Sequence, residues 1–178
     1  LMTEIGRQFD AALESGFRAV KMEVLFYDLV TDRELLKLIE RGRKMLGDGI
    51  LMAVDFGYRW QNWHDALYLL DRIEECDIFF AEATLQHDDL EGHARLAERS
   101  PIRMGGAEAA ATRWEIQEWL TRGKVGIVQP NIGRGGGLTE IRRIADLCEL
   151  HGAEVVPHGW KTGVTSAAGR PLLAACGS

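Results

Sequence analysis

Cysteine is scarce in these 178 residues. Cys76, Cys148 and Cys176 are odd in number and widely spaced in apolar surroundings, which excludes a disulfide framework and a Cys-rich zinc site. They read as reduced core thiols, the usage expected of a cytoplasmic protein. Long apolar runs are also missing. No stretch reaches the roughly 18 consecutive apolar residues of a membrane span, and no signal peptide precedes the first helix, so no membrane partner is expected. Positive charge is in deficit: 21 Lys and Arg stand against 27 Asp and Glu, a net charge of −6, and the basic residues form no block. That balance argues against a nucleic-acid partner. Finally, no first strand runs into a Gly-x-Gly-x-x-Gly turn, which counts against a dinucleotide-binding sheet.

What is present is an ordinary soluble composition, 46% hydrophobic and 27% charged, in a chain long enough for one domain with a sizeable core. Two periods alternate from end to end. "TEIGRQFDAALESG" places Ile5, Phe9, Ala12 and Leu13 at helical spacing, with Gly16 as the stop, and "FRAVKMEVLF" follows as a strand. Thr31 and Glu34 form a capping box that opens a helix closing at Gly47, and Thr112 and Glu115 form a second one. Between and beyond them come the strands "GILMAVD", "DIFFAE", "PIRMGGAE", "KVGIVQPN" and "AEVVPHG". The helices between them are expected at about 62–75, 88–99, 112–123 and 138–152, with an Ala-rich helix after Thr162. Strict alternation of this kind gives parallel strands covered by helices, hence either an open sheet or a (β/α)8 barrel. Six strands are legible, where a barrel has eight.

The strands share an odd feature: polar or charged residues sit at the C-terminal end of nearly every one. Lys21 and Glu23, Asp55, Glu82, Glu108, Asn131 and His158 occupy those ends, and from Asp55 onward the gaps are 27, 26, 23 and 27 residues, each one strand-helix unit. In a barrel such ends converge. Taken singly, each acid reads as a helix cap or half of an ion pair. Three carboxylates converging would repel one another or take up protons, and a hard divalent cation with all-oxygen ligands resolves the conflict.

Asp, Glu and Glu on consecutive strands are preceded by "GFRAVKME" and followed by "VQPN" and "GGGLTEIRRIADLCELHGAEVVPHGW". In this the chain resembles the mandelate racemase/muconate lactonizing enzyme branch of the enolase superfamily, along nearly its whole length. The resemblance implies a partial (β/α)8 barrel over 1–178, running from the helix before barrel strand 2 to the helix after strand 7. The first and last strands and the N-terminal capping domain of the family would lie outside it. It implies that Asp55, Glu82 and Glu108 bind one Mg²⁺, which would hold a substrate carboxylate while a base removes the α-proton. His158 would be the general base or acid, since imidazole titrates near neutrality.

The sequence departs from that pattern in informative places. The family pairs the histidine with an Asp on the preceding strand, and here Asn131 stands there. An amide can orient the ring but cannot stabilise the imidazolium by charge, so a weaker base is expected. The second lysine of the family's Lys-x-Lys is replaced by Glu23, leaving Lys21 to contact the substrate carboxylate. Racemisation needs opposed bases, so dehydration of an acid sugar with His158 working the proton is the expected reaction. Racemisation or epimerisation of a hydroxy acid with Glu23 as second base is the alternative, and an inactive, structural partial barrel is a third reading. Ala83 and Thr84 after Glu82, and Gly57 two residues after Asp55, also differ from common family residues, so the substrate is not inherited.

Other features rank lower. "NIGRGGGLTE" reads as a turn. In "QHDDLEGH", Asp88 or Asp89 is expected to cap the next helix rather than join His87 and His93 on a metal. Tyr58, Trp60 and Trp63 either wall a pocket or pack the loop. Six parallel strands leave open edges, so the isolated segment is expected to be oligomeric or poorly soluble and inactive, and the full-length form a homo-oligomer.

Overall fold

The structure, a computed structural model, describes residues 2–25, 29–160 and 162–176. Phe26, the end of the first expected strand, and the side chain of Cys176 lie outside what it describes. The chain forms two compact units, residues 1–86 with 99–103 and residues 87–98 with 104–178.

The first unit holds α1 (Met2–Glu14), β1 (Ala19–Glu23), α2 (Asp32–Leu46), β2 (Leu51–Asp55), α3 (Trp63–Leu70) and β3 (Ile78–Glu82). β1 pairs with β2 and β2 with β3, both parallel. The Thr31–Glu34 capping box forms as the sequence requires, each side chain bonding the other's backbone N–H. α2 buries Leu35, Leu38, Ile39, Gly42 and Leu46, the three-and-four spacing of a single helix face. Gly42 lets that face approach closely. A methyl group there would lie 3.1 Å from Met22 Sδ and 3.2 Å from Met52 Cε.

One buried cation closes the lower end of this unit. Arg43 donates to the carbonyls of Cys76 (2.7 Å), Gly47 and Ile50 (both 2.8 Å) and Asp77 (2.9 Å). It thereby ties the end of α2 to the entries of β2 and β3. Beyond α3 the expected long helix tightens into a 3-10 turn over Asp71–Cys76. Ile73 and Cys76, three residues apart, are both buried there, and three residues per turn puts them on one face.

The second unit holds most of α4 (Leu90–Arg99), then β4 (Met104–Gly106), α5 (Arg113–Thr121), β5 (Ile127–Val128), α6 (Leu138–Leu150), β6 (Glu154–Val155) and α7 (Gly163–Cys176). β5 pairs in parallel with β4 on one side and β6 on the other. The second capping box forms at Thr112–Glu115, and Asp89 accepts from Gly92 N at the start of α4. Gly106 is needed because Trp119 packs on it; a Cβ would meet Trp119 Cζ3 at 2.8 Å. The Gly-rich stretch is a turn, with Asn131 O accepting from Arg134 N at 3.0 Å and Gly135 N at 2.7 Å. Cys76 and Cys148 are free buried thiols, and burial pushes the Cys148 thiol up to about 12. Among the described residues, no helix is long and apolar enough to cross a membrane.

Candidate active site

The strand-end residues form two groups, one in each unit. In the first, backbone register does the positioning. Glu23 is level with Asp55, and Asp55 is level with Glu82. The second match depends on an irregularity: Met52 pairs with Ile78 but Val54 with Ala81, so β3 carries one extra residue. Without that bulge Asp55 would stand beside Ala81. Bulges of this kind re-aim side chains next to functional sites. The pairing continues past the strand ends, with Val24 N donating to Asp55 O at 2.9 Å and Phe56 N to Glu82 O at 3.0 Å.

The two carboxylates share one cation. Lys21 Nζ donates to Glu82 Oε2 at 2.5 Å and lies 3.5 Å from Asp55 Oδ2, while Asp55 Oδ1 accepts from Gly57 N at 3.0 Å. The Glu82 side chain is only 1% exposed. Burial works to lower the Lys21 pKa, but the charge and hydrogen bond of Glu82, then Asp55 and Glu23, overcome it and hold the ammonium protonated. Lys21 is thus a counter-ion here, a role its sequence position does not reveal.

Backbone strain marks the same strand ends. Tyr58 (φ 62°), Ala83 (φ 48°) and Ala107 (φ 73°) adopt left-handed conformations within three residues of Asp55, Glu82 and Glu108 respectively. Each costs about 1–2 kcal/mol for a residue with a Cβ, and such strain gathers at functional sites. It is not confined to them, since Asp77 and Lys124 are left-handed in helix-to-strand turns.

In the second unit, Glu108 is half-buried in the turn after β4, and Asn131 and His158 meet past the ends of β5 and β6. Those two residues form a parallel bridge, His158 N donates to Pro130 O at 3.1 Å, and Asn131 Nδ2 stands 2.9 Å from His158 Nδ1. The amide is thus in hydrogen-bond contact with the ring. Gln129, which sequence reading passed over, is buried, and its Oε1 lacks a hydrogen-bond partner among the described residues.

Of the aromatic candidates, Trp60 and Trp63 pack. Trp60 is buried against Phe56 and donates to Asp32 Oδ2 at 3.1 Å, and Trp63 stacks on His64. His87 and His93 both lie against Trp119.

Among the described residues, no three His, Cys, Asp or Glu groups are drawn together as a bound metal draws its ligands. The cation at Asp55 and Glu82 is Lys21. Two carboxylates sharing one cation are nonetheless the donor set a hard divalent ion takes, so these residues fit Mg²⁺.

The chain is 32% identical over 146 residues to arabinonate dehydratase of Saccharolobus solfataricus, covering 82% of this chain and 38% of that protein. It is 32% identical over 160 residues to D-galactarolactone cycloisomerase of Agrobacterium fabrum, covering 90% and 41%. It superposes on the crystal structure of a Streptomyces coelicolor racemase with bound magnesium with a TM-score of 0.82 at 27% identity, covering 90% of this chain and 47% of that one. The chain thus spans about two fifths of the length of these curated relatives. Among the described residues its strands pair in parallel and are part of the (β/α)8 barrel anticipated from sequence. The model of the enolase C-terminal domain-like family matches residues 4–178, and the chain belongs to that family.

Proposed function

We propose that the protein carrying this chain is a Mg²⁺-dependent acid-sugar dehydratase, which removes the proton α to a substrate carboxylate and expels the neighbouring hydroxyl as water. The observation that carries this reading is the convergence of Asp55 and Glu82 on one cation at adjacent strand ends. Glu108 supplies the third carboxylate of the strand-end series. Bound by these three, Mg²⁺ would stabilise negative charge developing on the substrate carboxylate. Lys21 keeps a positive charge beside that group, and its ammonium has a second use in pairing with the substrate carboxylate. His158, oriented by Asn131, faces the substrate, and Glu23 is the other titratable strand-end group. Arabinonate dehydratase among the relatives supports water loss from a sugar acid.

The test is a panel of sugar acids offered to the full-length protein with Mg²⁺ and with EDTA. Dehydration gives a 2-keto-3-deoxy acid, read by semicarbazide absorbance. Mg²⁺-dependent product from at least one acid is expected, and none across the panel would sink the reading. Because D-galactarolactone cycloisomerase is equally similar, sugar-acid lactones belong in the panel. Isomerisation without water loss would move the assignment to that reaction.

A further inference from the structure

We infer that Asn131 fixes His158 in its Nε2–H tautomer, so that the neutral ring is a hydrogen-bond donor at Nε2 and not a base there. The orientation of one amide decides this. The backbone N–H of Gly133 can only donate, and it lies 2.9 Å from Asn131 Oδ1, so the amide oxygen must face it. The amide nitrogen then faces His158 Nδ1 at 2.9 Å, and an NH2 group can only donate. Nδ1 must therefore accept, which leaves it without a hydrogen and places the ring proton on Nε2.

The surroundings make this hard to reverse. Asn131 is 3% exposed, and the parallel bridge to His158 holds both backbones in register. Turning the amide over would set its NH2 against the Gly133 N–H, two donors face to face. Adding a proton at Nδ1 would set an N–H against the same NH2. An aspartate at position 131 would impose the opposite state: a carboxylate only accepts, so Nδ1 would carry the hydrogen and Nε2 would be open to a proton. The exchange of one carboxylate for an amide thus inverts which nitrogen can receive.

The chemical role that follows rests on the reading of His158 as substrate-facing, whereas the tautomer itself does not. In that role the ring offers a neutral N–H to a substrate oxygen where negative charge gathers, an electrophilic use of imidazole. No proton leaves the ring: in that reading the Glu23 carboxylate, level with Asp55 at the strand ends, takes the α-proton and passes it to the departing hydroxyl, which leaves as water. Asn131 is accordingly a positioning residue acting through His158.

Long-range ¹H–¹⁵N spectra of histidine-labelled full-length protein above pH 7 test the tautomer without substrate. The chain has five histidines, and loss of one spin system in His158→Gln assigns the ring. The expected signature is a pyrrole-type nitrogen at Nε2, coupled to both ring hydrogens, which moves to Nδ1 in Asn131→Asp. A wild-type ring protonated at Nδ1 overturns the inference, and so does a ring unchanged in Asn131→Asp. If that variant does not fold, the wild-type spectrum decides alone. An Nε2–H ring without sugar-acid turnover would remove the proposed function and leave this inference standing. Turnover with an Nδ1–H ring would do the reverse.

Discussion

Replacing Lys21 with Met should make the stability of the protein depend on divalent metal. Lys21 Nζ stands 2.5 Å from Glu82 Oε2 and 3.5 Å from Asp55 Oδ2. At an effective dielectric of 20 the gross attractions are about 7 and 5 kcal/mol. Most of that is cancelled by desolvation, because the Glu82 side chain is 1% exposed and that of Lys21 31%. Removing one partner of a buried pair costs about 3–5 kcal/mol, and the partly wet ammonium puts this case near 3. In EDTA, Lys21→Met should therefore melt roughly 6–12 °C below wild type, at about 2–4 °C per kcal/mol. Saturating Mg²⁺ supplies the missing positive charge and should return the variant to within about 1 kcal/mol, since a ligand that binds only the folded state adds RT ln(1 + [L]/Kd). Wild type should gain less, because there the ion displaces an existing cation. Differential scanning fluorimetry with and without EDTA reads all four states. A deficit that is equal with and without Mg²⁺ would refute the counter-ion reasoning.

Three further outcomes follow from the packing. Arg43→Met strips one buried carbonyl, that of Cys76, and three part-buried ones of their donor and should lower the free energy of unfolding by about 2–3 kcal/mol, measured by urea titration; a loss under 1 kcal/mol would mean the carbonyls find water. Burial holds the His93 pKa down, more than the Asp89 carbonyl and charge raise it, so the unfolded chain binds the extra proton first. Stability should then be full above about pH 6.5 and fall as the pH drops below it, a slope that His93→Phe should flatten in urea melts at successive pH values. Ala83→Gly relieves a φ of 48° and should raise stability by about 1 kcal/mol by the same assay; a loss would show that its methyl group packs too tightly to give up.

The alternation of strand and helix was legible because its punctuation is local. Thr31 with Glu34 and Thr112 with Glu115 fix helix starts by bonds inside one turn, and Gly16 and Gly47 stop the chain at positive φ. The strand-end acids were legible for a related reason, since polar residues closing apolar runs at a constant interval need a shared explanation. What escaped reading belongs to pairing between distant segments. The extra residue in β3 that sets Glu82 beside Asp55 has no signature in "DIFFAE". Lys21 as their counter-ion depends on which side of β1 faces β2, and the 3-10 turn at 71–76 on which residues the core receives. Nothing in the sequence of α2 sets Arg43 apart, and only the return of the chain at Cys76 and Asp77 makes it a buried clamp.

Calorimetric titration of the full-length protein with Mg²⁺, repeated for Asp55→Asn, Glu82→Gln and Glu108→Gln, tests the ligand assignment most directly. The expected result is one site per chain, weakened by more than about 100-fold in each variant, a larger loss than the 10–100-fold typical of groups behind the ligands. Wild-type affinity retained in any one of the three, in a protein that still folds, would contradict the metal site.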